Sequence, residues 1–350
     1  MVFVRLLLFA LLLTGCQLSY LMHVSYNHLA LLNSKEPISE ILKSDRVTQE
    51  QKRKIELSQV ARIYAFDKLK LKKTDNYSQY VDLKRPYVTY TVTASKKWKL
   101  EPHLWNFPII GKAPYKGFYR EELAKEEAEE LRKQDLDVAV RGVSAYSTLG
   151  KLTDPLLSSM LNYSDHHLVN TIIHELVHTT LFIKDNIDFN ERLAVFVANK
   201  GTEYFYLDKE GKNSATLKLI QDENYDDELF SKFITGELPQ LKKWYEEFDH
   251  TKQLPPDDKE ALRQERLQQI AVHFKTELQP RLKTKSYDKV FSKKFNNADL
   301  AVYNTYMKSL DVFETVYRKY GSNIEAFLKK CEELKEADDP EKQFEQWALN

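Results

Sequence analysis

Two histidines four residues apart flank a glutamate in the segment His174-Glu175-Leu176-Val177-His178. Residues four apart lie one turn from each other on the same face of an α-helix, so both imidazoles can reach a single cation. Glu175 is adjacent to His174 and can take a proton from a water molecule at that cation. The spacing therefore predicts a hydrolytic site with one zinc ion, in which His174 and His178 are ligands and Glu175 is the general base.

The residues around the motif favour a helix with one apolar face. Ser164 or Asp165 can cap the N-terminus of this helix. The stripe that is expected to face the core consists of Ile172, Ile173, Leu176, Val177 and Leu181. His166 and His167 precede the motif, and we expect them to be exposed residues of the first turn rather than metal ligands.

A third ligand must come from outside the motif, because two imidazoles do not complete a catalytic zinc site. The extended pattern HExxHxxGxxH fails, since Leu181 occupies its glycine position and Lys184 the position of its third histidine. Glu191 is the favoured third ligand, and Asp185 and Asp188 are the alternatives. Glu191 could also do no more than cap its own helix, in a capping-box-like arrangement with Asp188.

The segment Phe189-Asn190-Glu191-Arg192-Leu193-Ala194 resembles the NExxA element from which glutamate zincins take their third ligand. The residues between His178 and Glu191 suffice to end one helix, form a turn and begin another. Ala194 is small enough to let these two helices approach each other closely. We expect Asn190 to support the neighbouring ligand or to cap the helix, rather than to bind the metal itself.

Amide hydrolysis also needs a hydrogen-bond donor for the oxyanion, and tyrosine or histidine often supplies it. Tyr146 is the preferred residue for this role. The other candidates are Tyr303, Tyr306 and His273.

The rest of the sequence predicts an α+β chain with more helix than strand. Residues 77–94 and 138–143 are rich in β-branched and aromatic side chains, which predicts strands there. Proline and glycine predict a loop or hairpin over 107–119. Periodic apolar residues or helix-forming composition predict helices near 20–32, 50–71, 121–134, 214–249, 257–278, 297–320 and 322–337.

The N-terminus has the pattern of a secretory signal peptide. Arg5 precedes the apolar run 6–13, which is too short to span a bilayer. Leu13-Thr14-Gly15-Cys16 resembles the bacterial lipobox, so we expect Cys16 to carry lipid and to become the first residue of the mature chain. Each buried methylene of an acyl chain contributes about 0.8 kcal/mol, so the lipid would tether the protein to the membrane. Gln17 favours the outer membrane, with the protein facing the periplasm.

The composition excludes several other classes of protein. The 350 residues include 52 Lys plus Arg and 52 Asp plus Glu, and this balance gives no electrostatic basis for binding nucleic acid. The 9 glycines form neither a GxGxxG nor a GxxxxGK[ST] pattern, which argues against a phosphate-binding loop. The composition is otherwise that of a globular protein.

Several segments together resemble a bacterial family of predicted aminopeptidases, whose members are zinc lipoproteins. They are Gly15-Cys16; Trp105 to Pro108 with Gly111 and 114–118; Ala145 to Gly150 with Asp154-Pro155; the histidine motif; 189–191 with Ala194; and 296–298. The resemblance implies a gluzincin-like peptidase with ligands His174, His178 and Glu191. In zincins an edge strand before the metal helix binds extended substrate, so we expect Tyr146, Ser147, Thr148 and Leu149 to line the cleft.

The resemblance implies an α+β, zincin-like core in which a small mixed sheet accompanies the HExxH helix. We expect four parts: a signal peptide (1–15), an N-terminal helical segment (16–76), the catalytic core (77–205) and a helical C-terminal region (206–350). The expected activity is zinc-dependent hydrolysis of peptide bonds in a peptide or protein substrate at the bacterial cell envelope. The alternative is a tethered metal-binding scaffold or assembly factor without catalytic activity.

Overall fold

The computed structural model describes residues 19–107, 111–145, 152–248, 254–306 and 310–349. Within these ranges the chain is a mixed α+β protein in which helices predominate, as the sequence predicts. None of the described helices is both long enough and apolar enough to cross a membrane. Cys16 and the residues 146–149 expected to line the cleft lie outside the described residues.

Three helices form the N-terminal part: α1 (19–33), α2 (Ile38–Lys43) and α3 (Gln49–Asp67). A capping box fixes the start of α3. The side-chain oxygen of Thr48 accepts a hydrogen bond from the backbone of Gln51, and the Gln51 side chain accepts one from the backbone of Thr48. One face of α3 carries the fully buried residues Ile55 and Ala61, which pack in the first core cluster.

The strands form two small sheets and a hairpin. The first sheet has the order β1 (Glu36–Pro37), β2 (Gln79–Val81) and β8 (Leu156–Leu157), and its last pair is parallel. The second sheet is antiparallel and has the order β6 (Tyr115–Phe118), β3 (Thr89–Lys96) and β7 (Leu136–Val143). The hairpin consists of β4 (Trp105–Phe107) and β5 (Gly111–Ala113).

The structure corrects the single strand predicted over 77–94. This segment contains β2 and the first part of β3, which belong to different sheets. Pro86 lies in the bend between them, where its missing N–H and fixed φ interrupt a ladder. The strand predicted at 138–143 is confirmed as part of β7. The loop or hairpin predicted over 107–119 overlaps the hairpin of β4 and β5, which begins earlier, at Trp105, and ends at Ala113.

Helix α4 (Glu121–Lys133) covers the second sheet. Its buried residues Ala124, Ala128 and Leu131 pack against Val92 of β3 and Val138 of β7. The opposite side of α4 carries charged residues, which explains its strongly helix-forming and charged sequence.

Helices α5 (Asp165–Thr180) and α6 (Ile187–Glu210) lie against each other near the centre of the first core cluster. Ala194 is fully buried on α6. About two turns further along, Gly201 allows a close approach, since a Cβ there would lie 2.6 Å from Leu69 Cδ1 and 3.2 Å from Ile173 Cγ2. The missing side chain of Gly201 therefore leaves room for Ile173 of α5 and for Leu69, which follows α3.

The C-terminal part contains α7 (Ala215–Glu247), α8 (Pro256–His273), α9 (Asn297–Tyr306), α10 (Asp311–Lys319), α11 (Ile324–Glu332) and α12 (Pro340–Leu349). The helices predicted at 214–249 and 257–278 are confirmed. The single helix predicted over 297–320 is wrong, because Leu310 is not helical and is the N-cap of α10, which begins at Asp311. Helix α12 was not predicted.

The C-terminal helices divide between two core clusters. Helices α7 and α8 build the second cluster around Phe230, Leu241 and Ile270. Helices α10 to α12 return to the first cluster, where Phe313 and Phe344 pack against Phe189 of α6. Residues on both sides of the predicted division at 205/206 thus share one core.

A buried ion pair joins the second sheet to the second cluster. Arg263 of α8 is 1% exposed, and its Nη1 and Nη2 donate to the carboxylate of Asp137 on β7 at 2.7 and 3.1 Å. The same carboxylate accepts a hydrogen bond of 3.0 Å from the backbone of Asn297 at the start of α9. These contacts satisfy both charges, which is the condition for burying them.

Candidate metal centre

Helix α5 carries the histidine motif and begins as the sequence predicts. Ser164 is its N-cap, and its hydroxyl oxygen accepts a hydrogen bond from the backbone of His167. The apolar residues around the motif, such as Ile172, Ile173 and Leu176, are fully buried in the first core cluster. This packing fixes the rotation of the helix and so the direction in which the motif faces.

The turn between α5 and α6 is held by Asn190. Its side-chain oxygen accepts a hydrogen bond of 2.8 Å from the backbone of Ile183. Its amide donates to the carbonyls of Ile183 and Asn186 at 2.7 and 2.9 Å. Because Asn190 is 1% exposed and fully engaged, it stabilises the turn that positions the adjacent Glu191.

The structure brings His174, His178 and Glu191 together. The Nε2 atoms of the two histidines are 3.2 Å apart. Oxygen atoms of the Glu191 carboxylate lie 3.5 Å from Nε2 of His174 and 3.6 Å from Nε2 of His178. One potential ligand atom from each residue therefore faces a common point between α5 and α6.

The alternative roles considered for this region fit the structure less well. Asp185 and Asp188 are exposed, whereas Glu191 faces the histidines. The N-cap of α6 is Asn186, so the interpretation of Glu191 as a cap of its own helix is wrong. Helix α6 begins four residues earlier, at Ile187, so Glu191 lies in the second turn of the helix. Its carboxylate faces the histidines of α5.

The electrostatic surroundings of the two histidines differ. Burial and the nearby positive charge of His174 lower the pKa of His178 to about 4, so its ring is neutral. Burial also opposes the protonation of His174, but a hydrogen bond from His174 to Glu191 and the charges of Glu175 and Glu191 raise its pKa. Burial works against the charge of Glu191, yet both histidines lower its pKa and keep it ionised.

This donor set fits a zinc ion. A tetrahedral shell with zinc–ligand distances of about 2.0–2.2 Å requires ligand atoms about 3.3–3.6 Å apart. The two Nε2 atoms here are 3.2 Å apart, and they lie 3.5 and 3.6 Å from different oxygens of the Glu191 carboxylate. His178 lies in the last turn of α5, where the negative end of the helix dipole favours a cation. Two imidazoles and one carboxylate leave a coordination position open, as in catalytic zinc sites.

Two tyrosines that the sequence analysis missed lie within electrostatic reach of this centre. Burial and the charge of Glu191 raise the pKa of Tyr115 on β6. The pKa of Tyr163, just before the N-cap of α5, is raised by burial and by Glu175, although a hydrogen bond with Ser144 lowers it. The only sequence signal for Tyr115 is its place in the segment 114–118, which contributes to the family resemblance.

The other candidate donors lie elsewhere or cannot be placed. The ring of Tyr303 packs on Phe230 in the second cluster, with ring centroids 5.2 Å apart. His273 on α8 contacts Glu237, with Nδ1 3.0 Å from the carboxylate. Tyr146 and the side chain of Tyr306 lie outside the described residues.

The expectation that His166 is exposed is wrong. His166 is 8% exposed, because α7 packs over the first turn of α5 and places Glu223 against its ring. His167 is exposed, as predicted.

A family model described as "Putative aminopeptidase" matches residues 19–346. No curated protein and no solved structure matches the chain. Since the family model spans nearly the whole sequence, the chain belongs to the putative aminopeptidase family.

Proposed function

We propose that the protein is a zinc-dependent metallopeptidase of the gluzincin type, with a zincin-like core and His174, His178 and Glu191 as the zinc ligands. The observation that carries the proposal is the convergence of three side chains from α5 and α6, in which the two Nε2 atoms are 3.2 Å apart and each lies within 3.6 Å of a Glu191 oxygen. Membership in the aminopeptidase family supports peptide bonds as the target. An endopeptidase would use the same centre.

A bound zinc ion supplies Lewis acidity, which acidifies the attacking water and polarises the scissile carbonyl. Glu175 lies one residue after His174 on α5 and interacts electrostatically with it. We assign Glu175 the general-base role, in which its carboxylate takes a proton from the water and passes it to the leaving amine. His178, neutral at physiological pH, presents a free electron pair for metal binding.

An oxyanion donor completes this proposal. Tyr115 and Tyr163 are the described candidates, because each phenol interacts with an acid of the centre. Raised pKa values keep both phenols protonated and able to donate. Tyr146 remains a prediction, as does the cleft formed by Tyr146, Ser147, Thr148 and Leu149.

Substitution of three acids tests the catalytic proposal. Glu175→Gln should reduce peptide hydrolysis by at least about 100-fold and leave zinc content and melting temperature nearly unchanged. Glu191→Ala should lose zinc from this centre together with activity. Asp188→Asn, an exposed acid three residues before Glu191, is the matched control and should retain both.

The substrates should be peptide libraries with free and with acetylated N-termini, and cleavage should be followed by mass spectrometry. Cleavage of only the free set indicates an aminopeptidase, whereas cleavage of both indicates an endopeptidase. If the zinc-loaded protein cleaves neither set and Glu175→Gln still complements a deletion strain, the protein is a metal-binding scaffold and the enzymatic proposal is wrong.

We further propose that a lipid on Cys16 anchors the protein in the bacterial cell envelope, at the outer membrane and facing the periplasm. Helix α1 begins within three residues of Cys16 and contains no Lys, Arg, Asp or Glu. Its outward face exposes Met22, Tyr26 and Leu29, which are 64%, 74% and 59% accessible. An uncharged helix with such a face is suited to lie against lipid headgroups.

Fractionation of cells tests the anchor. The wild-type protein should sediment with membranes and be released by detergent, and Cys16→Ser should move most of it to the soluble fraction. An unchanged distribution of Cys16→Ser would contradict the anchor.

A further inference from the structure

A second group of metal-ligating side chains lies at the N-terminal end of α5. His166 and His167 in its first turn face Glu223 of α7, and one potential ligand atom from each lies within 4.8 Å of the others. Nε2 of His166 is 2.9 Å from Oε2 of Glu223, and Nε2 of His167 is 3.6 Å from the same oxygen. We propose that these three residues form a second binding site, for a divalent transition-metal ion such as zinc.

The distances from the two histidine rings to Glu223 are close to those of a zinc shell. Ligand atoms of a tetrahedral zinc shell are about 3.3–3.6 Å apart, so the 2.9 Å contact must lengthen by about half an ångström while the 3.6 Å contact already fits. The side chains of His166 and Glu223 are 10% and 17% exposed, whereas His167 is 56% exposed. Solvent therefore reaches the site from the His167 side and can supply the remaining ligand.

Neighbouring groups orient His167 and keep Glu223 ionised. The hydroxyl of Ser164 lies 2.8 Å from Nδ1 of His167, which directs Nε2 of this ring toward Glu223. A hydrogen bond at the second ring nitrogen is the usual support of a metal-binding histidine. Although burial opposes its charge, Glu223 has a lowered pKa because of His166, His167 and Ser286, so a carboxylate faces the two rings.

The two sites differ in the sign of the helix dipole. The first turn of α5 is its positive end, which opposes a cation, whereas the candidate metal centre includes the negative end. We expect the second site to bind zinc more weakly and to fill after the first. His167 precedes His174 by seven residues, which correspond to about 10 Å along a helix. Two ions at this distance are too far apart to act on one bond.

An ion at this position would join α5, which carries the catalytic motif, to α7 of the C-terminal part. The inference does not depend on the proposed peptidase activity, because its ligands and its measurement are separate. Its predicted consequence is a second zinc equivalent that leaves when Glu223 or His167 is changed.

Zinc titration of the metal-free chain, by calorimetry and by metal analysis after equilibrium dialysis, tests the inference. The wild type should bind two ions. Glu223→Gln and His167→Gln should each bind one ion, at the first site. Glu191→Ala should also bind one ion, at the second site. Glu191→Ala combined with Glu223→Gln should bind none. The control is Asp222→Asn, which neutralises the acid next to Glu223. Asp222 pairs with Lys218, so this variant should still bind two ions.

The variants separate the two sites. If Glu223→Gln and His167→Gln both bind as many ions as the wild type, the second site is refuted. A single wild-type ion that is lost in Glu223→Gln but kept in Glu191→Ala would support the second site and instead contradict the zinc role of the first. A single ion lost only in Glu191→Ala would refute the second site.

Discussion

At the scale of the residue, Asp227 on α7 shows how burial changes the charge of a side chain. Burial and the like charges of Glu223 and Asp226 raise its pKa to about 6, although a hydrogen bond of 2.6 Å from the Tyr287 hydroxyl lowers it. Between about pH 4 and 6 the folded chain retains a proton that the unfolded chain has lost. Stability therefore decreases as the pH rises through this window.

Asp227→Asn removes this charge and leaves a side-chain oxygen to accept the hydrogen bond from Tyr287. We expect the metal-free variant to be more stable than the wild type at pH 7 by up to about 3 kcal/mol, with the difference vanishing near pH 4. Urea denaturation at several pH values measures this difference. If the stability of the variant minus that of the wild type is smaller at pH 7 than at pH 4, the raised pKa assigned to Asp227 is wrong.

At the scale of the element, the turn between α5 and α6 determines whether Glu191 reaches the histidines. Asn190 makes three hydrogen bonds across this turn, two of them to the buried Ile183. An orphaned N–H at Ile183 would cost about 1–3 kcal/mol. The helices are rigid, so their relative position depends on this short connection.

Asn190→Ala should therefore lower the free energy of unfolding by about 1–3 kcal/mol and weaken zinc binding at the candidate centre by about 10-fold or more. Asn186→Ala is the control, because this half-buried side chain makes one hydrogen bond, to the carbonyl of Lys184. Zinc titration and urea denaturation supply both quantities. Equal zinc affinities of Asn190→Ala and the control would show that the turn does not position Glu191.

At the scale of the whole molecule, the C-terminal helices complete the core behind the candidate metal centre. Phe313 of α10 is fully buried and packs against Phe189, two residues before Glu191, and against Phe344. Phe230 of α7 is equally buried but belongs to the second cluster. Two phenylalanines of similar burial thus lie in different cores.

We expect Phe313→Ala and Phe230→Ala each to destabilise the protein by about 3–5 kcal/mol. Only Phe313→Ala should also weaken zinc binding at the candidate centre, since the cavity that it leaves adjoins the start of α6. The measurements are denaturation and zinc titration under conditions where both variants are folded. Equal losses of zinc affinity in the two variants would contradict the prediction that only the first core cluster supports the candidate metal centre.

Sequence patterns were enough to predict the local features of the site. The spacing of His174 and His178 fixes their common helix face, and Ser164 and the apolar stripe fix the helix that carries them. The family resemblance extended this to Glu191, and the mixed α+β class and most helices followed from periodicity. Each of these depends on residues close together in the chain, where backbone geometry leaves few alternatives.

The tertiary structure alone decided which distant residues meet. The burial of His166 depends on α7, and the proximity of Tyr115 to Glu191 depends on the pairing of β6 with β3. The return of α10 to α12 to the first core likewise joins residues more than 100 positions apart, such as Phe189 and Phe313. No local pattern encodes such contacts, because they arise when apolar faces of whole elements are buried together.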